Sequence, residues 1–87
     1  MIKIFYTKHF IKQYKKLTPS LKKKTKLSIN KFQKNPKNKT LKAHKLSGQL
    51  SGFYSFSVDY RYRVVFEIDK KNNQIILLKV GGHQIYQ

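Results

Sequence analysis

The sequence predicts an α+β fold in which an N-terminal strand and a two-helix hairpin pack on one face of a small antiparallel sheet. Three observations lead there. The hydrophobic period changes from two to 3.6 near residue 8 and returns to two at residue 50. Thr18-Pro19 divides the helical stretch, and three strand-like runs then follow one another with only short turns between them. At 87 residues there is room for one domain, 1–87, and none for a second.

Residues 2–6 (Ile-Lys-Ile-Phe-Tyr) alternate weakly and are rich in β-formers, which predicts a short first strand. Phe10, Tyr14 and Leu17, with Ile11 beside them, recur at helical spacing over residues 8–17. Thr18 is placed as N-cap and Pro19 as first residue of a second helix running to about Gln33. On that helix Leu21, Thr25, Ser28, Ile29 and Phe32 share one face and lysines cover the rest. Leu27 falls amid the lysines, either a singly exposed leucine or a contact point for a partner protein. Asn35-Pro36 ends the helix, and residues 35–49 read as a basic loop.

From Leu50 the period of two puts Tyr54, Phe56 and Val58 on one face of a strand and Phe53, Ser55 and Ser57 on the other. A second strand, Tyr62 to Ile68, sets Tyr62, Val64, Phe66 and Ile68 against Arg63, Val65 and Glu67, with a tight connection around Asp59 to Arg61. After a turn at Asp69-Lys-Lys-Asn-Asn73, residues 74–80 are apolar on both faces, as in a well-covered strand. Gly81-Gly82 ends it and precedes the tail His83-Gln84-Ile85-Tyr86-Gln87. With both helices on one side, the other side of the sheet has no element left to cover it, so its residues should be polar, basic or functional.

Net charge narrows function further. The chain carries +17, from 20 Lys and Arg against three acids, and no carboxylate precedes Asp59. Such mutual repulsion is relieved when a polyanion lies against the surface, which points to nucleic acid. Mg²⁺ or Ca²⁺ sites need clustered oxygen ligands, and only Asp59, Glu67 and Asp69 are available, so phosphodiester chemistry here is expected to be metal-free. No Cys is present, and neither a signal-peptide core nor an 18-residue apolar run occurs. A cytoplasmic protein with no membrane association and no small-molecule cofactor is expected.

Metal-free RNA cleavage uses the 2′-hydroxyl as nucleophile and needs a base, an acid and cations for the phosphorane. His44 in the basic loop, Arg63 in the second sheet strand and His83 after the two glycines supply such parts. Each also has a plain reading as a solvated residue, and His9 is taken as surface. Composition and spacing alone stop at a small basic α+β nucleic-acid-binding domain.

The second half of the chain goes further. Leu46-Ser47-Gly48, Leu50-Ser51-Gly52-Phe53-Tyr54-Ser55-Phe56-Ser57-Val58, Tyr62-Arg63-Val64-Val65-Phe66 and Gly82-His83-Gln84-Ile85-Tyr86 together resemble the RelE/ParE superfamily of toxins from type II toxin-antitoxin systems, closest to its RelE, YoeB and YafQ-like branches. The resemblance implies a RelE-like fold and a toxin that cleaves mRNA on the ribosome without metal or cofactor, leaving 2′,3′-cyclic phosphate and 5′-hydroxyl ends. It matches His44 to a catalytic Glu or His position, Arg63 to the arginine that stabilises phosphate charge, and His83 to the C-terminal catalytic histidine. Tyr86 matches a terminal aromatic that stacks on a base or packs under the site. Arg61, Lys42, Lys45, Ser55 and Ser57 are assigned to RNA binding or support. The implied partners are an acidic antitoxin, mRNA and the ribosome. Gln84 stands where an Asp commonly follows the family histidine, and Ser57 and Arg61 replace polar or acidic groups of YafQ-like members, so which histidine is base and which acid stays open. The alternative is a ParE-like non-nuclease inhibitor of DNA gyrase, or a catalytically degenerate nucleic-acid-binding homologue.

Overall fold

A computed structural model describes residues 2–86. Strand β1 (Lys3–Tyr6) leads into helices α1 (Lys8–Lys15) and α2 (Pro19–Lys34), followed by β2 (His44–Lys45), β3 (Tyr54–Ser57), β4 (Arg63–Asp69) and β5 (Gln74–Gly81). Short 3₁₀ turns lie at Lys39–Leu41, Gly48–Leu50 and His83–Tyr86. The strands form one sheet in the order β1-β5-β4-β3-β2.

Both helices start where a threonine can cap them. Thr18 Oγ1 accepts from the Leu21 amide at 3.2 Å, and Pro19 occupies the first turn, where its missing N–H leaves no bond unmade. Thr7 does the same for α1: its hydroxyl accepts from the Phe10 amide at 3.1 Å and donates to the Leu77 carbonyl at 2.9 Å, tying the start of α1 to β5. Beyond Leu77 the β1 side of β5 has no strand neighbour. The Val80 amide there donates to Gln13 Oε1 of α1 at 2.8 Å, so a helix side chain completes the ladder.

The core lies between α2 and the sheet. Phe32 of α2 stacks on Phe56 with ring centroids 4.8 Å apart and tilts against Phe66 at 4.9 Å. Phe10, Ile29, Leu41, Val64, Ile75, Leu77 and Val80 complete it. Burying each such side chain contributes about 1.5–3 kcal/mol. Leu27 is 52% exposed, outside this stripe.

The connections and the sheet pairing depart from the sequence reading. Residues 35–49 are not a loop throughout: they hold two 3₁₀ turns and β2, which is too short at two residues to leave a periodic signal. The sheet is not wholly antiparallel, because β1 joins β5 in parallel, Lys3 opposite Gln74 through Tyr6 opposite Leu77. A bulge in β5 shifts the register between Val65 and Phe66, with Lys79 opposite Val65 but Leu77 opposite Phe66. Leu78 is the extra residue, and Leu77 and Val80, three apart, therefore both reach the core.

Candidate active site

Strand register sets the site. His44 lies opposite Ser55, Ser55 opposite Val65 and Val65 opposite Lys79; one row along, Ser57, Arg63 and Gly81 are neighbours. Residues in register, and those two apart on one strand, share a face, so His44, Ser55, Ser57, Arg63 and Lys79 all project away from the helices.

That face is not left bare, contrary to the expectation from element order. After Gly81 the chain turns back and lays the His83–Tyr86 turn over it, with Ile85 buried. A Cβ on Gly81 would meet Ile85 Cγ2 at 2.5 Å, so only glycine admits this close approach. Lys79 Nζ donates to the Ile85 carbonyl at 3.4 Å, and Tyr86 Oη donates to Ser55 Oγ at 3.3 Å. Ser55 and Ser57 are consequently buried rather than solvent-facing.

Arg63 is held from its own sheet. Its Nη1 donates to Ser57 Oγ at 2.6 Å, and the Ser57 hydroxyl donates onward to the Asp59 carbonyl at 3.3 Å. Asp59, which the sequence placed only in a tight connection, organises this end of the site. Its Oδ1 accepts from the Arg61 and Tyr62 amides at 2.9 and 2.8 Å, closing the β3–β4 turn, and its Oδ2 lies 3.8 Å from Lys24 Nζ of α2. Burial works to raise the Asp59 pKa, but the two amide bonds and then the charges of Lys24 and Arg61 outweigh it and hold the carboxyl below its ordinary value. An Asp at the start of a tight connection, placed to accept from the amides two and three residues on, was the signal available in the sequence.

His44 sits in β2 at the sheet edge, its Nδ1 2.8 Å from the Lys42 carbonyl. A carbonyl only accepts, so Nδ1 carries the proton and Nε2 is left as the acceptor in the neutral ring. Lys42 acts here through its backbone, which adopts φ +51° at the end of a 3₁₀ turn.

Two adjoining cavities complete the geometry. One, of about 470 Å³, is lined by His44, Leu46, Gln49, Leu50, Arg63 and Tyr86 among others. The other, of about 540 Å³, is lined by Tyr60, Arg61, Arg63, His83, Gln84 and Tyr86 among others. Arg63 and Tyr86 thus form a common wall with one histidine on each side, and the His83 and Tyr86 rings meet edge to face at 6.0 Å. Lys45 is not brought in: it pairs with Tyr54 and lines a groove on the helix side with Phe32 and Phe66. Tyr60, absent from the sequence reading, is 81% exposed at the tip of the β3–β4 turn.

Among the described residues no cluster of three or more His, Asp or Glu side chains could hold a metal ion, and no helix is long and apolar enough to cross a membrane. The two cavities set an imidazole on either side of the Arg63 guanidinium.

Solved structures share this architecture. YafQ from E. coli superposes with a TM-score of 0.79 at 17% identity, covering 99% of this chain and 98% of its own. A YoeB/ParE toxin from Agrobacterium tumefaciens gives 0.76 at 16% identity, covering 94% and 99%. The toxin-antitoxin complex RelBE2 from Mycobacterium tuberculosis gives 0.68 at 17% identity, covering 94% and 98%. At such identities the likeness is one of fold. Comparison with curated protein sequences finds no match. A family profile, described as the ParE-like toxin of type II bacterial toxin-antitoxin system, does match, over residues 4–87. Since that match runs from the first strand through the tail that closes the site, the chain belongs to the ParE-like toxins of type II bacterial toxin-antitoxin systems.

Proposed function

We propose that this toxin cleaves mRNA on the ribosome by metal-independent transesterification and is held inactive by an acidic antitoxin. The observation that carries the reading is the Arg63–Tyr86 wall with His44 on one side and His83 on the other. A phosphate seated on Arg63 receives charge stabilisation from the part of the guanidinium not given to Ser57. His44 Nε2 takes the 2′-hydroxyl proton as that oxygen attacks phosphorus; the P–O5′ bond breaks, and His83 supplies the proton to the departing 5′-oxygen. Atoms balance as a 2′,3′-cyclic phosphate and a 5′-hydroxyl. Arg61 and the surrounding lysines supply further positive potential.

The antitoxin follows from charge: a +17 surface is complemented by an acidic chain, and a relative of the same fold was solved as a toxin-antitoxin complex. Single-turnover cleavage on programmed ribosomes, with and without EDTA, tests the reaction. The expected result is cleavage that chelator leaves unchanged. Cleavage that chelator abolishes and Mg²⁺ restores would overturn the mechanism; no cleavage, together with inhibition of gyrase supercoiling, would replace it with the non-nuclease alternative.

A further inference from the structure

At 81% exposure Tyr60 is the most exposed large apolar side chain among the described residues; the next, Leu27, reaches 52%. An aromatic at a turn tip is ordinarily free to move, but this one is fixed. Arg61 Nε donates to its hydroxyl at 3.0 Å, and the guanidinium carbon lies 5.5 Å from its ring centroid. The backbone beneath is fixed as well, by the two amide bonds to Asp59. A ring pre-oriented beside two arginines, with most of its surface in water, has the form of a stacking platform for an unpaired base. Tyr60 also shares the 540 Å³ cavity with Arg63 and His83, within the range of about 300–1,000 Å³ typical of small-ligand sites.

Position then gives polarity. His44 lies across Arg63 in the other cavity and does not line this one. With His44 at the 2′-hydroxyl and His83 at the departing 5′-oxygen, the His83 cavity receives the nucleotide on the 3′ side of the broken bond. We infer that Tyr60 stacks the base of that downstream nucleotide while Arg61 contacts its phosphate, which makes Tyr60 a binding residue for RNA. The inference rests on the cleavage reading above and adds to it where the downstream base sits.

The test is a cycle on programmed ribosomes. The cleavage position is first mapped with wild-type protein, and messages are then made with an abasic nucleotide immediately 3′ or immediately 5′ of it. The half-saturating toxin concentration for single-turnover cleavage is measured for wild type, Tyr60→Ala, Tyr60→Phe and Leu27→Ala, after checking that their thermal unfolding matches. Losing one stacked base corresponds to a weakening of about 5- to 150-fold. Tyr60→Ala should show it on the intact message, the 3′ abasic message should show it with wild type, and the two together should lose no more than either alone. Tyr60→Phe, which keeps the ring but loses the hydroxyl that Arg61 bonds, should weaken cleavage less than Tyr60→Ala, and Leu27→Ala should behave as wild type. The inference is overturned if Tyr60→Ala is as effective as wild type, if the two losses multiply, if the 5′ abasic message rather than the 3′ one shows the coupling, or if Tyr60→Ala impairs only antitoxin binding. Each of those leaves the cleavage reading intact. Absence of cleavage by wild type overturns both.

Discussion

Arg63 gives Nη1 to Ser57 at 2.6 Å and keeps the rest of its planar fork for a ligand. Arg63→Ala removes both roles, and a loss of roughly 10²- to 10³-fold in single-turnover rate is expected of a phosphorane stabiliser. Arg63→Lys should recover only part of that rate, because an ammonium cannot bond Ser57 and grip two phosphate oxygens in one plane. His44→Ala and His83→Ala should each lower the rate by roughly 10²- to 10⁴-fold while leaving RNA affinity nearly unchanged. If both variants cut as fast as Leu27→Ala, the histidines are surface residues. His44, Arg63 and His83 were picked out as candidates in the sequence through a resemblance of short motifs. What holds them was not: the Lys42 carbonyl behind His44 and the Ser57–Asp59 relay behind Arg63 arise from backbone geometry and strand pairing, which side-chain identity alone does not report.

At the scale of elements, the β3–β4 turn and the C-terminal 3₁₀ turn carry the site. Asp59 in its folded setting has a lowered pKa, so its charge contributes stability that is fully present above its unfolded value, near 3.8, and is lost as pH falls through the lower folded value. Asp59→Asn keeps an acceptor for the Arg61 and Tyr62 amides but removes the charge. Urea unfolding should show the variant less stable than wild type at neutral pH, with the gap closing in strong acid; a gap that persists there would assign the effect to something other than ionisation. Gly81→Ala places a methyl within 2.5 Å of Ile85 Cγ2, an overpacking that costs about 1–3 kcal/mol if the sheet stays intact. Displacing Ile85 displaces His83 and Tyr86 with it, so cleavage should fall more than stability does. The start of α2 was readable from the residue types of Thr18-Pro19, and the α2 stripe and strands β3 and β4 because each repeats a period over several residues. β2 is two residues long, and the bulge at Leu78 breaks alternation within β5, so the pattern there announced an apolar strand without saying which side chains face inward.

Across the whole molecule the charge dominates. If roughly six to ten phosphates are neutralised, affinity for single-stranded RNA should drop about 10³- to 10⁵-fold between 50 and 200 mM salt, measurable by fluorescence anisotropy. A flat salt profile would count against a polyanion-binding surface. Coexpression with an acidic antitoxin should raise yield, since a ligand bound only to the folded state shifts the equilibrium toward it. The parallel joining of β1 to β5 bears on how the chain reaches this state at all. Thr7 bonds Leu77 across 70 residues of sequence, whereas β3, β4 and β5 are joined by short turns. Loop-closure entropy favours early formation of the three-stranded meander and late docking of the N-terminal segment. In stopped-flow kinetics, Ile4→Ala should therefore speed unfolding and leave the refolding rate nearly unchanged, and Phe66→Leu should slow refolding. The amides of β1 should also be the first of the sheet to exchange with deuterium, opening at a free energy below that of global unfolding.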